Sequence, residues 1–245
     1  MLKNIYLGLK FSFSYFSIFP VSFKESDDLS QKDILGTMLF FFPFVGFVLG
    51  TGTVVLFSFL DHLGWYGALF SALFYMISYG FLHTEAIIDV ADALYASHSQ
   101  KNAYAIIKEP TVGAMGVLYA MALVILKLAG IVYLFEHNFF MEFIAILIIS
   151  RLSLLMLFRI HTFRSSFATQ LKNALTMPYI ITVFLLFILL GTLFLNQFIL
   201  LLIVGMIFAL LISFTLKKRL GFVNGDVLGA TLEGVEILLF LGVTL

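Results

Sequence analysis

Long apolar runs constrain this chain more than any other feature. They lie at about 34–60, 67–88, 113–135, 139–159, 179–195 and 197–216, with a weaker one at 227–245. A span needs roughly 20 apolar residues at about 1.5 Å rise each. Backbone groups in lipid must be satisfied within the segment, so each run is expected to be a helix. The 179–195 run is slightly short and meets the next run at Asn196-Gln197, which predicts a tight helical hairpin. Composition agrees: 62% of residues are hydrophobic and 11% charged, with a mean hydropathy of +1.09. Soluble domains sit near 45–50% and about 25%. The expected fold class is all-α, a polytopic membrane bundle of about seven transmembrane helices forming one domain over residues 1–245. No internal repeat or linker divides it.

Charge sorts the loops. Lys3, Lys10, Lys24 and Lys32 precede the first run, and Lys101 and Lys108 lie between the second and third. Arg159, Arg164 and Lys172 follow the fourth, and Lys217, Lys218 and Arg219 follow the sixth. The alternate loops, near 61–66, 136–138 and 196–197, contain no Lys or Arg. By the positive-inside rule the N-terminus and the long loops are cytoplasmic and the C-terminus faces out, which favours seven spans. Net charge is zero, so no overall basic signal points to nucleic acid. With no cysteine, disulfides and thiolate metal sites are excluded. The opening MLKNIYLGLKFSFSYFSIFP is short for a span and lacks a small-residue cleavage site. It reads as a retained interfacial or re-entrant helix ending at Pro20.

Only 14 residues are acidic, yet Glu85, Asp89 and Asp92 fall within LHTEAIIDVADAL, residues 82–94. Spacings of four and three put them on one helix face, at the cytoplasmic mouth of the second run. Carboxylates that close repel unless some protonate or a cation joins them. Oxygen-only donors suit Mg²⁺ or Mn²⁺. A solvated helix end explains the same cluster about as well. His83 reads as a general base, a hydrogen-bond donor behind a metal's ligands, or a packed imidazole.

A second acidic segment is NGDVLGATLEGVE, residues 224–236. Asp226 opens the last run, as a ligand, a helix N-cap or both. Glu233 is seven residues on and shares its face. Gly225, Gly229 and Ala230 leave room for a backbone or ligand. In KEPTVGAMG (108–116), Lys108 and the amides of Gly113 and Gly116 are candidates for phosphate, with close helix packing equally compatible. Arg151 lies about 12 Å inside the fourth run, where a charge needs a partner or a polar cavity, and is a further phosphate candidate. Lys127 and Glu236 lie deeper and are expected to pair. Carboxylates for a metal and cations for phosphates on one membrane face suggest phosphoryl or nucleotidyl transfer.

Three segments then carry a resemblance. LHTEAIIDVADAL resembles the L-H-x-D-x3-D-x2-D-G-L segment of cobalamin synthases, the adenosylcobinamide-GDP ribazoletransferases. KEPTVGAMGVL resembles their K-D-S-R-I-G-A-x-G-V, and RLGFVNGDVLGATLE their R-x-G-G-x-T-G-D-x-L-G-A-x-x-E. FSIFP is a weaker match to their F-x-T-x-x-P. The order covers nearly the whole chain. The resemblance implies a Mg²⁺-dependent transferase in a bacterial or archaeal cytoplasmic membrane. Its substrates would be adenosylcobinamide-GDP and α-ribazole or its 5′-phosphate, with GMP leaving. Glu85, Asp89 and Asp92 would hold metal, and His83 or a carboxylate would take the hydroxyl proton. Asp226 would complete the polar site, and Lys108 and Arg151 would contact phosphates. Glu85, Ala93, Pro110, Thr111 and Asn224 depart from the family pattern, and Thr111 stands where the family has a cation. Self-association or a biosynthetic membrane complex is compatible with the sequence.

Two other readings compete. A CDP-alcohol phosphotransferase also gathers acids at a membrane edge, but its last two acids are four apart and follow D-G-x2-A-R, which is absent here. A cation transporter would place acids near the midplane on related halves; only Glu236 and Lys127 suit it.

Overall fold

The structure is a computed structural model that describes residues 2–96, 102–109 and 111–244. Lys101 and Pro110 lie outside the described residues. The described chain is helical, without strands. In order the helices are α1 (Leu2–Phe16), α2 (Lys32–Phe40), α3 (Phe42–Leu60), α4 (Trp65–Ser78), α5 (Leu82–Ala96) and α6 (Ala103–Ile106). They continue as α7 (Ala114–Glu136), α8 (Phe140–Ile160), α9 (Ser166–Ala174), α10 (Met177–Phe194), α11 (Phe198–Leu220) and α12 (Gly225–Thr244). Six stretches are long and apolar enough to cross a membrane, or seven if the bent pair α4–α5 counts as one.

The N-terminal helix α1 has 15 residues. At about 1.5 Å per residue it falls short of a ~30 Å hydrocarbon core. It lies instead along α2 and buries Leu7, Gly8, Ser12 and Phe16. Helices α2 and α3 together fill the first span, Lys32–Leu63. Pro43 sits in the first turn of α3, where its missing N–H costs no helical bond. The bundle is organised around α8, which packs on α3, α11 and α12 and is buried almost throughout. A helix apolar on all sides is expected at such a centre. Helix α10 is the opposite case: Leu185, Leu189 and Leu193 are exposed, forming a lipid-facing stripe.

One expectation is corrected. The apolar run at 67–88 is not one straight helix. α4 ends at Ser78, α5 starts at Leu82, and the two axes differ by 78°. Gly80 (φ +66°) and Phe81 (φ +54°) are both left-handed. Gly80 adopts this freely, whereas Phe81 carries a cost of roughly 1–2 kcal/mol. The bend lays α5 against α7 and α12. Its acids therefore stand beside other helix ends and do not continue the axis of α4.

Candidate functional site

The ends of α1, α8, α9 and α12 that adjoin the long loops converge with the first turns of α5 on one cleft of about 390 Å³. Aromatic walls come from Tyr15, Phe16, Phe42, Tyr104, Phe158 and Phe167. The polar groups are His83, Lys108, Ser165, Ser166, Asn224 and Asp226.

Asp226 is set by its own helix start. The Asn224 side chain accepts from the Val227 N–H at 3.0 Å, as an N-cap does, and its amide donates to Asp226 Oδ2 at 2.6 Å. The cap is therefore Asn224, and Asp226 follows it in the first turn of α12. Gly225 and Gly229 line the same cleft. A Cβ on Gly229 would meet Ala86 at 2.7 Å, so this glycine is what lets α5 lie so close to α12.

The charges of Asp226, Glu85 and Asp92 all reach the half-buried Asp89 carboxylate, and Glu85 also acts on Asp226. Four acids thus gather at this end, one more than the α5 face alone supplies. They do not form a closed cage: among the described residues no three acidic or imidazole groups are placed to hold a metal ion by themselves. Asp92 is turned to another task. Its carboxylate accepts from the Gly113 N–H at 2.6 Å and the Gly116 N–H at 2.7 Å, at the start of α7. Gly113 and Gly116 are thus already engaged by Asp92 and are not open amides awaiting a phosphate. A Cβ on either would stand 2.4 Å or 2.6 Å from an Asp92 oxygen, which explains the glycines. For a divalent ion the donor chemistry fits, since Mg²⁺ characteristically takes one or two carboxylates plus waters and substrate phosphates. Glu85, Asp89 and Asp226 are the carboxylates left for it.

Tyr15 lies on α1, outside the spans. Burial and then the Asp226 charge raise its pKa, keeping the phenol a proton donor.

Below the cleft lies a second polar set, sealed in the bundle. Lys127 Nζ is 2.6 Å from Glu233 and 2.7 Å from Glu236, so the expected Lys127–Glu236 pair is present. Arg151 donates to Glu236 at 2.6 Å and to the Leu147 carbonyl at 2.8 Å. Tyr75 donates to Glu236, and Tyr79 to Glu233 at 2.7 Å. These four charges are fully buried and balance. Two expectations are corrected by this. Glu233 follows Asp226 by two helical turns, yet it points into the network. Arg151 is consumed by Glu236 and packs 5.8 Å from the ring of Phe42, a cleft wall, instead of lining the cleft. Both pairings are what lipid demands of buried charge.

His83 is buried, flanked by Phe16, Phe42 and Tyr79, and lines the cleft; its Nε2 has no hydrogen-bond partner. Lys108 also lines the cleft, its Nζ 4.6 Å from the centre of the Tyr104 ring. Arg164, read from sequence only as a loop charge, stacks on that ring at 3.9 Å. Its backbone N–H donates to the Val223 carbonyl at 3.0 Å, three residues before Asp226. Tyr104, Arg164, Ser165 and Ser166 were not legible as site residues. The one local signal was Ser165, a helix N-cap type before α9, whose Oγ accepts from the Ala168 N–H.

A bundle of membrane-crossing helices with a carboxylate-rich cleft at one end is the frame of a membrane-embedded transferase acting on phosphates. The cobalamin-5-phosphate synthase family model matches residues 8–244, and the chain belongs to that family. A relative from Clostridium perfringens (strain SM101 / Type A), called adenosylcobinamide-GDP ribazoletransferase, is 29% identical over 259 residues, covering 99% of this chain and 100% of the relative. Relatives of the same name from Chlorobium phaeovibrioides and Brevibacillus brevis are each 28% identical, covering 96% and 93% of this chain and 95% and 94% of their own. No solved structure matches the chain significantly.

Proposed function

We propose that this protein joins adenosylcobinamide-GDP to α-ribazole or its 5′-phosphate and releases GMP, the last assembly step of cobalamin. The observation that carries this reading is Asp226 in a cleft within electrostatic reach of the α5 acids, in a chain of this family. The ribose 3′-hydroxyl forms a P–O bond to the phosphate borne by the corrinoid arm. The P–O bond to GMP breaks, and GMP carries off that electron pair. Mg²⁺, when bound, supplies positive charge to the phosphate oxygens. One or two of Glu85, Asp89 and Asp226, together with the substrate's phosphates, would hold it, and Mn²⁺ has the same donor preference.

The hydroxyl proton has two acceptors in place, Asp226 and His83, both lining the cleft. Asp92 braces α5 on α7 and so keeps Glu85 and Asp89 facing α12. The aromatic walls give the flat lower base surfaces to stack on. The Lys and Arg of the long loops support a cytoplasmic-membrane location with the cleft on the cytoplasmic side.

The test is GMP release by purified protein in detergent, with adenosylcobinamide-GDP, either acceptor and Mg²⁺. Asp226→Asn and a chelator are run beside it. Complete corrinoid from the native chain only, lost with chelator and restored by Mg²⁺, is expected. Folded protein that releases no GMP with either acceptor refutes the reading.

A further inference from the structure

We propose that an apolar groove on the side of the bundle binds one anionic phospholipid, with an acyl chain laid along α12 and the phosphate on Arg219. The site is separate from the cleft and does not depend on the reaction given above. The groove has a volume of about 400 Å³ and is lined by α5, α7, α11 and α12. Every lining residue is apolar except Tyr119, so the groove has no partner for a nucleotide or a sugar along its length. Leu126, Leu238 and Leu241 line it and are exposed, so it opens outward. Three of its four helices, α7, α11 and α12, are long and apolar enough to cross a membrane. The medium over such an opening is lipid.

Length and charge then choose the occupant. On α12 the lining runs from Ala230 to Leu241, about 16 Å at the helical rise. One leaflet supplies half of a ~30 Å hydrocarbon core, so the groove matches a single acyl chain. A helix from a second copy would need about twice that length to cross. The charge is on α11. Ile212 and Leu216 line the groove, and Arg219 continues their face at helical spacings of four and then three. Arg219 is exposed in the last turn of α11, and among the described residues it forms no ion pair. A guanidinium just beyond an apolar slot, where a span meets its loop, complements the phosphate of an anionic lipid. Tyr119, in the second turn of α7, lends the amphipathic ring typical of the headgroup level. The α5 wall gives the site a consequence. Ile87, Ala91 and Leu94 line the groove and lie on the face of α5 opposite Glu85, Asp89 and Asp92. A lipid chain seated here packs behind the helix that carries the acids.

The experiment is native mass spectrometry of protein released from nanodiscs that mix phosphatidylglycerol with phosphatidylcholine. The native chain should retain one phosphatidylglycerol in preference to phosphatidylcholine. In Arg219→Gln that preference should fall about five-fold, the effect of one basic residue on an anionic lipid. Lys218→Gln should leave it unchanged, because Lys218 lies on another face of α11 beside Phe214. Leu238→Trp and Leu126→Trp fill the groove from exposed positions on α12 and α7, so folding should persist, and each should retain neither lipid. Circular dichroism checks the fold of each variant. Equal retention of the two lipids by the native chain, or none, overturns the proposal, as does an undiminished preference in Arg219→Gln. Folded Trp variants that keep the lipid overturn it too. A lipid-free native dimer that Leu238→Trp dissociates would assign the groove to a second copy and overturn it likewise. The readout needs no turnover, so its failure leaves the reading of the reaction untouched.

Discussion

Replacing Lys127 by Met should destabilise the protein more than any change at its surface. Lys127 lies within 2.7 Å of both Glu233 and Glu236, and all three are buried. Glu236 is ten residues, or about 15 Å, along α12 from Asp226. The group is sealed from bulk solvent within the bundle. After the substitution two carboxylates face only Arg151, which leaves one uncompensated buried charge. Breaking a buried pair from one side costs roughly 3–5 kcal/mol. For a chain of this size that corresponds to a fall in Tm of about 6–20 °C. The assay is thermal unfolding in detergent followed by circular dichroism. The double variant Lys127→Met/Glu233→Gln restores neutrality and retains the Arg151–Glu236 pair, so it should recover at least half of the loss. A fall below about 2 °C for Lys127→Met, or a double variant no more stable than the single, would refute the charge-balance reasoning.

Three further outcomes follow from the site. Asp89→Asn should lower GMP release by at least about 100-fold while raising Tm, because it removes one of four mutually repelling carboxylates. Gly116→Val should cost about 1–3 kcal/mol and reduce activity, since its Cβ would stand 2.6 Å from the Asp92 carboxylate; Gly242→Ala, with nothing within 4 Å, should cost nothing measurable. His161, at the end of α8 and 3.0 Å from the Ser213 hydroxyl, has its pKa lowered by burial and then by Lys217 and Lys172. The unfolded chain therefore takes up this proton first as pH falls through the ordinary value of 6.5. Tm should drop from pH 7 to pH 5, and His161→Gln should flatten that slope.

Much of the site was legible because its chemistry sits in short segments. Glu85, Asp89 and Asp92 share a helix face by spacing alone, and Asp226 opens α12 where the apolar run begins. Lys127 and Glu236 were legible as a pair because a deep charge in lipid must be neutralised. Arg151 obeyed the same rule, but its distance from the run's end could not say whether the partner was a phosphate or Glu236. Glu233 shared a face with Asp226 by period, yet two turns of depth separate a cleft residue from a sealed one.

The sequence by itself determined the long apolar helices and the all-α class, because these depend on local hydropathy. Only the tertiary structure decided that α5 turns by 78° at Gly80 and Phe81. It also decided that Asp92 binds the Gly113 and Gly116 amides, and that Arg164 reaches Tyr104 from a loop sixty residues away. The bend is held by the packing of α5 on α7 and α12, and the other two are contacts between segments distant in the chain. Such contacts are chosen by packing geometry and by competition among partners, which no single segment encodes.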